Sequence, residues 1–220
     1  MRGTSAKKAG MRLRTEELSE STWKDFEDLF GRNYGVWGGC WCTFYQVRRG
    51  SEWSAGPSNR EAHKERLRRG SAHGVIVMDG SVPVGWCQFG PAEELPRVDG
   101  RKGYRTRNEE GLWRVTCFFV DRTHRKAGVA RTALAAALRS MEENDVKLVE
   151  AYPTEVGKRT SASFLWSGTP SLFESFGFVK TGKLGKRTWV MQKRLGPSER
   201  EAARGRAGRR PPSHEAASNG

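Results

Sequence analysis

The stretch Leu112-Trp113-Arg114-Val115-Thr116-Cys117-Phe118-Phe119-Val120-Asp121-Arg122-Thr123-His124-Arg125-Lys126-Ala127-Gly128-Val129-Ala130 decides the fold. Its first half, Leu112 to Val120, is a long apolar run that reads as a central strand. From Val129 onward, Val129, Ala133, Leu134, Ala137, Leu138 and Met141 recur on one face of a helix reaching to about Glu143, and the alanines give it high intrinsic propensity. A strand that runs through a small-residue turn into a helix leaves several backbone N–H groups unpaired, and an anion fits there. Gly128, Ala127 and Ala130 allow close approach to the backbone, while Arg125 and Lys126 bring positive charge to the same point. On spacing alone, a tight turn with no ligand remains the alternative.

Working outward, Met11 to Arg14 reads as a first strand, followed by a helix capped by Ser19 or Ser21 and carrying Trp23, Phe26, Leu29 and Phe30 at helical spacing. A second, charged helix is expected from Pro57 or Ser58 to Arg69, ending at Gly70, on the surface with only Ala62 and Leu67 for a core. Ala72 to Met78 and Val82 to Phe89 flank Asp79-Gly80-Ser81, a strong hairpin pattern. Beyond the central helix come a strand over Val146 to Ala151, a short helix around Ser171 to Phe176, and a hairpin of Phe178 to Thr181 with Thr188 to Lys193. The order is strand, two helices, three strands, helix, strand, helix, two strands, which is a mixed α/β sheet with helices on both faces.

The chain of 220 residues suits one domain with a full core. Residues 1–9 read as a flexible basic tail, 10–195 as the domain, and 196–220 as a disordered tail containing Arg209-Arg210-Pro211-Pro212. A formal net charge of +14 invites a nucleic-acid reading, but much of the excess lies at the ends: Met1 to Arg14 carries Arg2, Lys7, Lys8, Arg12 and Arg14 with no acid. No helix-turn-helix spacing and no basic strand face with interleaved aromatics accompanies the charge, so nucleic acid is not an expected partner. No apolar run approaches the roughly 20 residues that span a bilayer, and no apolar stretch follows the basic N-terminus, so no membrane partner is expected and cytoplasm is the expected location. Cys40, Cys42, Cys87 and Cys117 lack metal spacing and read as reduced structural thiols, with no metal site expected.

The turn resembles the cofactor-binding motif of the GNAT acetyltransferases: Arg or Gln, two residues, Gly, one residue, then Gly or Ala. Arg125, Gly128 and Ala130 match it, and Val120 supplies the aliphatic residue five positions before the Arg. The family's second motif, Glu-x-x-Gly-Phe, is met by Glu174-Ser175-Phe176-Gly177-Phe178. The phrases Gly38-Gly39-Cys40-Trp41-Cys42, Gly85-Trp86-Cys87, Cys117-Phe118-Phe119-Val120, Glu150-Ala151-Tyr152-Pro153 and Trp166-Ser167-Gly168-Thr169 are similar to a bacterial group within that superfamily. The resemblance covers roughly Met11 to Leu195.

The resemblance implies an α/β GNAT fold: a mixed, mostly antiparallel central sheet, helices on both faces, and a V-shaped splay between the fourth and fifth strands. It implies acetyl-CoA as acyl donor. Phe118, Phe119 and Val120 would offer backbone groups to the pantetheine arm, and Arg125, Lys126, Ala127, Gly128, Val129, Ala130 and Arg131 would hold the pyrophosphate. The implied activity is direct transfer of acetyl to a primary amine, of a small molecule, in a ternary complex. A peptide or protein amine, or a catalytically silent acyl-CoA-binding domain, are the alternatives, and the resemblance leaves room for a homodimer.

In many family members a Tyr five residues before the Phe of Gly-Phe gives the leaving thiolate its proton, and an Asn often stands seven residues earlier. Here these positions are Phe173 and Trp166. Glu150 and Tyr152, at i and i+2 on one strand face, are then the candidate base and acid. The bland reading of Glu150 is substrate binding or a strand-end ion pair. His124 reads as solvated or cofactor-contacting, with a general base as the alternative. The aromatic stretch Trp37 to Tyr45 reads either as a wall of the acceptor cleft or as core packing, and Trp86, Trp113 and Trp166 as core.

Overall fold

The computed structural model describes residues 11–36, 38–51, 53–104, 109–155 and 165–196. Of the tails expected at 1–9 and 196–220, all but Gly196 lies outside the described residues, as does Trp37. The elements in chain order are β1 (Leu13–Glu17), α1 (Trp23–Gly31), α2 (Ser58–Arg68), β2 (His73–Asp79), β3 (Val82–Pro91), β4 (Leu112–Val120), α3 (Val129–Glu143), β5 (Leu148–Ala151), α4 (Pro170–Glu174), β6 (Val179–Leu184) and β7 (Thr188–Arg194). The seven strands make one sheet in the order β1-β2-β3-β4-β5-β7-β6. Every neighbouring pair is antiparallel except β4 with β5.

Period-two alternation divides the core between the two faces. On one face, Val115 and Phe118 of β4 and Val149 and Ala151 of β5 join Val129, Ala133, Leu134, Ala137 and Met141 of α3 and Phe173 of α4. On the other, Trp23, Phe26, Leu29 and Phe30 of α1 cover Ile76, Met78 and Trp86. Further along that second face, Tyr45, Leu95, Val98, Tyr104, Tyr152, Leu184 and Val190 form a third cluster.

Several boundaries differ from the sequence reading for local reasons. β1 begins at Leu13 and runs to Glu17, because its partners on β2 extend from Asp79 back to Val75. Thr22, not Ser19 or Ser21, holds the cap position of α1. Its hydroxyl accepts from the Ser19 amide at 2.8 Å and donates to the Glu17 carbonyl at 2.7 Å, which fixes the exit from β1. The inward residues of α2 are Asn59 and His63, with Leu67 half-buried and Ala62 exposed, since the i, i+4 row through Asn59 is the one that meets α1 and the 38–56 segment. The last hairpin is longer than expected, its strands reaching Leu184 and Arg194.

Two irregularities of β4 position the site. Gln88 pairs with Cys117 and Phe89 with Val115, so Thr116 is an extra residue and β4 bulges there. β5 pairs with β4 only from Leu112 to Val115, so beyond the bulge β4 stays paired with β3 but has no strand along its other edge. The splay expected between the fourth and fifth strands is therefore present. Within it the Phe118 amide donates to the Trp166 carbonyl at 2.6 Å.

Candidate active site

The turn after β4 is shaped by Asp121, whose carboxylate accepts from the Thr123 amide at 3.0 Å and its hydroxyl at 2.8 Å. Burial opposes that charge, but the Thr123 bonds and the Arg32 guanidinium at 3.3 Å outweigh it and bring the carboxyl down to about 2. Lys126 and Gly128 then take positive φ, 63° and 83°, which turns successive amides toward one side. The first amide used along α3 is that of Thr132, onto the Gly128 carbonyl at 2.9 Å, so among the described residues those of Val129, Ala130 and Arg131 have no backbone acceptor and are open to an outside one. A Cβ built on Gly128 would meet nothing within 4 Å. The space in front of this turn is open, as an anion cradle requires.

That space belongs to a cleft of about 540 Å³. Phe118, Phe119 and Val120 form one wall, His124, Arg125, Lys126, Gly128, Val129, Ala130 and Arg131 the floor, and Leu165, Trp166 and Gly168 the opposite wall. Of the expected cofactor-contacting residues, only Ala127 is outside this lining. The Arg131 side chain turns away to Ser175 Oγ at 2.7 Å and the Phe176 ring at 4.8 Å, leaving its amide at the helix start. His124 bonds the Thr123 hydroxyl at 2.9 Å and lies 3.5 Å from Asp79. Gly168, at φ 74°, lets the 165–168 segment close on β4: a Cβ there would come within 2.9 Å of Phe173 and 3.3 Å of Phe118.

A second cavity, about 280 Å³, lies on the other face of β4. It is lined by Cys40, Cys42, Phe44, Tyr45, Trp53, Ala55, Gln88, Cys117 and Trp166, so Trp166 stands in the walls of both. The bulge at Thr116 and the side chain of Gln88 shape it, Gln88 accepting from Thr116 Oγ1 at 2.9 Å and donating to the Cys42 carbonyl at 2.7 Å. Trp41 and Cys42 both take positive φ, 43° and 58°, a strained conformation held by that bond and by Trp86 Nε1 donating to Cys42 Sγ at 2.8 Å. Burial pushes the Cys40 thiol up to about 12 and raises Cys42 as well, so both remain protonated and unreactive. Trp41 packs on Phe26 and Phe30, as core; Phe44 and Tyr45 line the cavity.

Glu150 and Tyr152 share one strand face, as their spacing requires, but they line neither cavity. Both are buried, at 0% and 2% exposure. Glu150 Oε2 accepts from Gln192 Nε2 at 3.1 Å, and the Tyr152 hydroxyl lies 3.3 Å from that of Tyr104. Tyr104 in turn accepts from Arg114 at 3.0 Å, and Arg114 also bonds Asp99 and the Ala92 and Leu95 carbonyls. Burial first, and then the neighbouring Glu150 charge, raise the Tyr152 phenol well above its ordinary value. Phe173, in the position of the usual proton donor, is fully buried against Phe118 and Phe178. Reading residues in sequence missed Gln88, Thr116 and Arg114; a lone Arg within the apolar run Leu112 to Val120 was the available sign of a buried polar network.

Residues 23–164 match the Acetyltransferase (GNAT) family, more than half of the chain. Among curated proteins no sequence relative matches. Solved structures with a similar fold include the ribosomal-protein-S5-alanine acetyltransferase of Vibrio fischeri, at 14% identity and TM-score 0.51, covering 85% of this chain and 95% of that one. The ribosomal-protein-alanine N-acetyltransferase of Brucella melitensis aligns at 17% identity and TM-score 0.49, covering 83% and 99%. The yncA protein of Salmonella typhimurium, whose structure was determined with acetyl-CoA, aligns at 13% and TM-score 0.48, covering 84% and 94%. With two motifs in order, a bulged and splayed fourth strand, and an open anion cradle at the start of α3, the chain belongs to the GNAT acetyltransferase family and is an acyltransferase that uses acetyl-CoA.

Proposed function

We propose that this enzyme transfers acetyl directly to a primary amine of a small molecule, within a ternary complex. The observation that carries the reading is the pair of cavities meeting at the β4 splay, one floored by a helix start and basic residues, the other apolar. In this reading the amides of Gly128, Val129, Ala130 and Arg131 take the pyrophosphate, with Ala127 leaving room and Arg125 and Lys126 adding charge. The backbone of Phe118, Phe119 and Val120 aligns the pantetheine arm along the strand edge. Bound acetyl-CoA supplies an activated thioester. The acceptor nitrogen attacks the thioester carbonyl, the C–S bond breaks, and the proton released by nitrogen ends on sulfur, giving an N-acetyl amide and a free thiol. Positioning supplies most of the rate, since a well-aligned pair is worth an effective molarity on the order of 10⁵ M or more.

Gly128→Glu tests the cradle, with Gly128→Ala as its control. Both substitutions carry the strain of a side chain at φ 83°, and the Cβ itself meets no atom, so only the glutamate adds negative charge in the anion's place. Calorimetry on the folded variants should show CoA affinity reduced at least about tenfold further in Gly128→Glu than in Gly128→Ala, about 1.4 kcal/mol. Equal affinities in the two variants would put the pyrophosphate elsewhere.

A further inference from the structure

The smaller cavity has a composition that selects its occupant. Four of its walls are aromatic: Phe44, Tyr45, Trp53 and Trp166. Phe44 meets Tyr45 at 5.3 Å and Trp53 at 5.1 Å, both edge-on, and Tyr45 lies 5.7 Å from Trp166. No carboxylate lines it among the described residues. Its polar groups are nearly all committed to the protein: Gln88 to Thr116 and Cys42, and Trp53 Nε1 to Thr43 Oγ1 at 3.0 Å. The Tyr45 hydroxyl and the Trp166 indole N–H are the exceptions, making no hydrogen bond among the described residues. Outside the wall, the Arg97 guanidinium stacks 3.8 Å from the Phe44 ring centre and 5.9 Å from that of Trp53. No acid pairs with it among the described residues, and its Nη1 is buried without a hydrogen bond. The field around the cavity is therefore positive, and Arg101 adds to it at Tyr45.

We infer that this cavity is the acceptor subsite and that its acceptor is a monoamine carried on an apolar ring, an arylalkylamine in chemical class, rather than a polycation. This rests on the proposed N-acetyl transfer and deepens it. A volume of about 280 Å³ is at the small end for ligand cavities and holds one or two rings, not an oligosaccharide. A ring buried against four aromatic side chains gains apolar contact that a polyamine cannot make. A second ammonium finds no carboxylate and meets Arg97, whereas a single amine can shed its proton before entry, because desolvation in an apolar, positively biased cavity favours the free base. Delivery of the neutral amine is what the transfer requires, and among the described residues no carboxylate lines either cavity. The Tyr45 hydroxyl is placed to hold the nitrogen's remaining N–H.

Ala55 lies exposed at the cavity's edge, so it can be changed without disturbing the core. The test uses the full chain in three measurements: calorimetry of CoA, calorimetry of phenethylamine onto the CoA complex, and thiol release with phenethylamine, tryptamine, spermidine and kanamycin. The expected results are CoA binding, amine binding to that complex, and kcat/KM for the ring-bearing monoamines at least about 30-fold above the polycations, the ratio that burying one ring supports. Ala55→Trp should raise the Michaelis constant for phenethylamine about tenfold or more with CoA affinity within about twofold of wild type, and Ala55→Glu should narrow the gap to spermidine. Absence of CoA binding would overturn the cofactor reading and this inference together. CoA binding accompanied by faster turnover of polycations, by no binding of either ring-bearing amine, or by an unchanged Michaelis constant in Ala55→Trp would overturn the acceptor assignment alone.

Discussion

Tyr152 and Glu150 look like an acid and a base when only their spacing is considered. In the fold they are members of a packed polar cluster with Tyr104, Arg114, Asp99 and Gln192. A phenol raised by burial holds its proton more tightly than an ordinary one, and neither side chain reaches a cavity wall. Tyr152→Phe should therefore lower stability by about 1 kcal/mol, the worth of one hydrogen bond, while kcat stays within about threefold. Glu150→Gln should likewise leave the dependence of kcat on pH unchanged in shape. Urea melts and pH profiles on both variants check this, and a fall in kcat of about 100-fold or more at unaltered stability would return them to the chemistry. The spacing made the shared face legible. It carried no information on depth, because whether β5's outward row meets a cavity or another packed layer depends on the 3-10 turns over Ala92–Glu94 and Pro96–Gly100, which lie in a stretch that reads only as polar.

The helix α2 shows how an element can be right in extent and wrong in its facing. Its charges suggested a surface helix, yet His63 is fully buried, stacked 5.0 Å from Phe26, with Nδ1 3.3 Å from the Gln46 carboxamide oxygen. A neutral imidazole behaves as a flat aromatic with one polar handle, and that property is invisible to a pattern that counts His as polar. Burial, aided by Arg66, lowers its pKa from 6.5 to about 3. The folded protein thus refuses a proton that the unfolded chain accepts. Between pH 6.5 and about 3 the unfolded state binds more protons, so stability falls as pH falls through that window, by up to about 1.4 kcal/mol per pH unit, and above pH 6.5 the effect vanishes. His63→Phe keeps the ring and removes the titration. Its unfolding free energy from urea melts should fall less steeply from pH 6 to pH 4 than that of the wild type, and parallel slopes would show that His63 is protonated in the folded state.

At the scale of the molecule, the order of elements and the two motifs made the sheet and its cofactor side readable, because a strand–turn–helix with small residues has few other uses. The acceptor side was not readable. Its wall depends on the bulge at Thr116, on Trp41 and Cys42 in positive φ, and on Gln88 stitching them together, and none of these follows from hydrophobic periodicity. The shared wall has a thermodynamic consequence. Trp166 borders both cavities, and its carbonyl holds the Phe118 amide at the strand edge where the pantetheine arm is proposed to lie. A pantetheine arm that pairs with the Phe118 amide would replace that bond and free Trp166, and a shift of Trp166 would reset one wall of the acceptor cavity. The two ligands are then energetically linked: whatever factor CoA applies to the acceptor's dissociation constant, the acceptor must apply to that of CoA. Titrating phenethylamine with and without saturating CoA, and CoA with and without the amine, should give one common factor of about five or more in both directions, and a factor of one would mean that Trp166 serves the two cavities as a rigid partition.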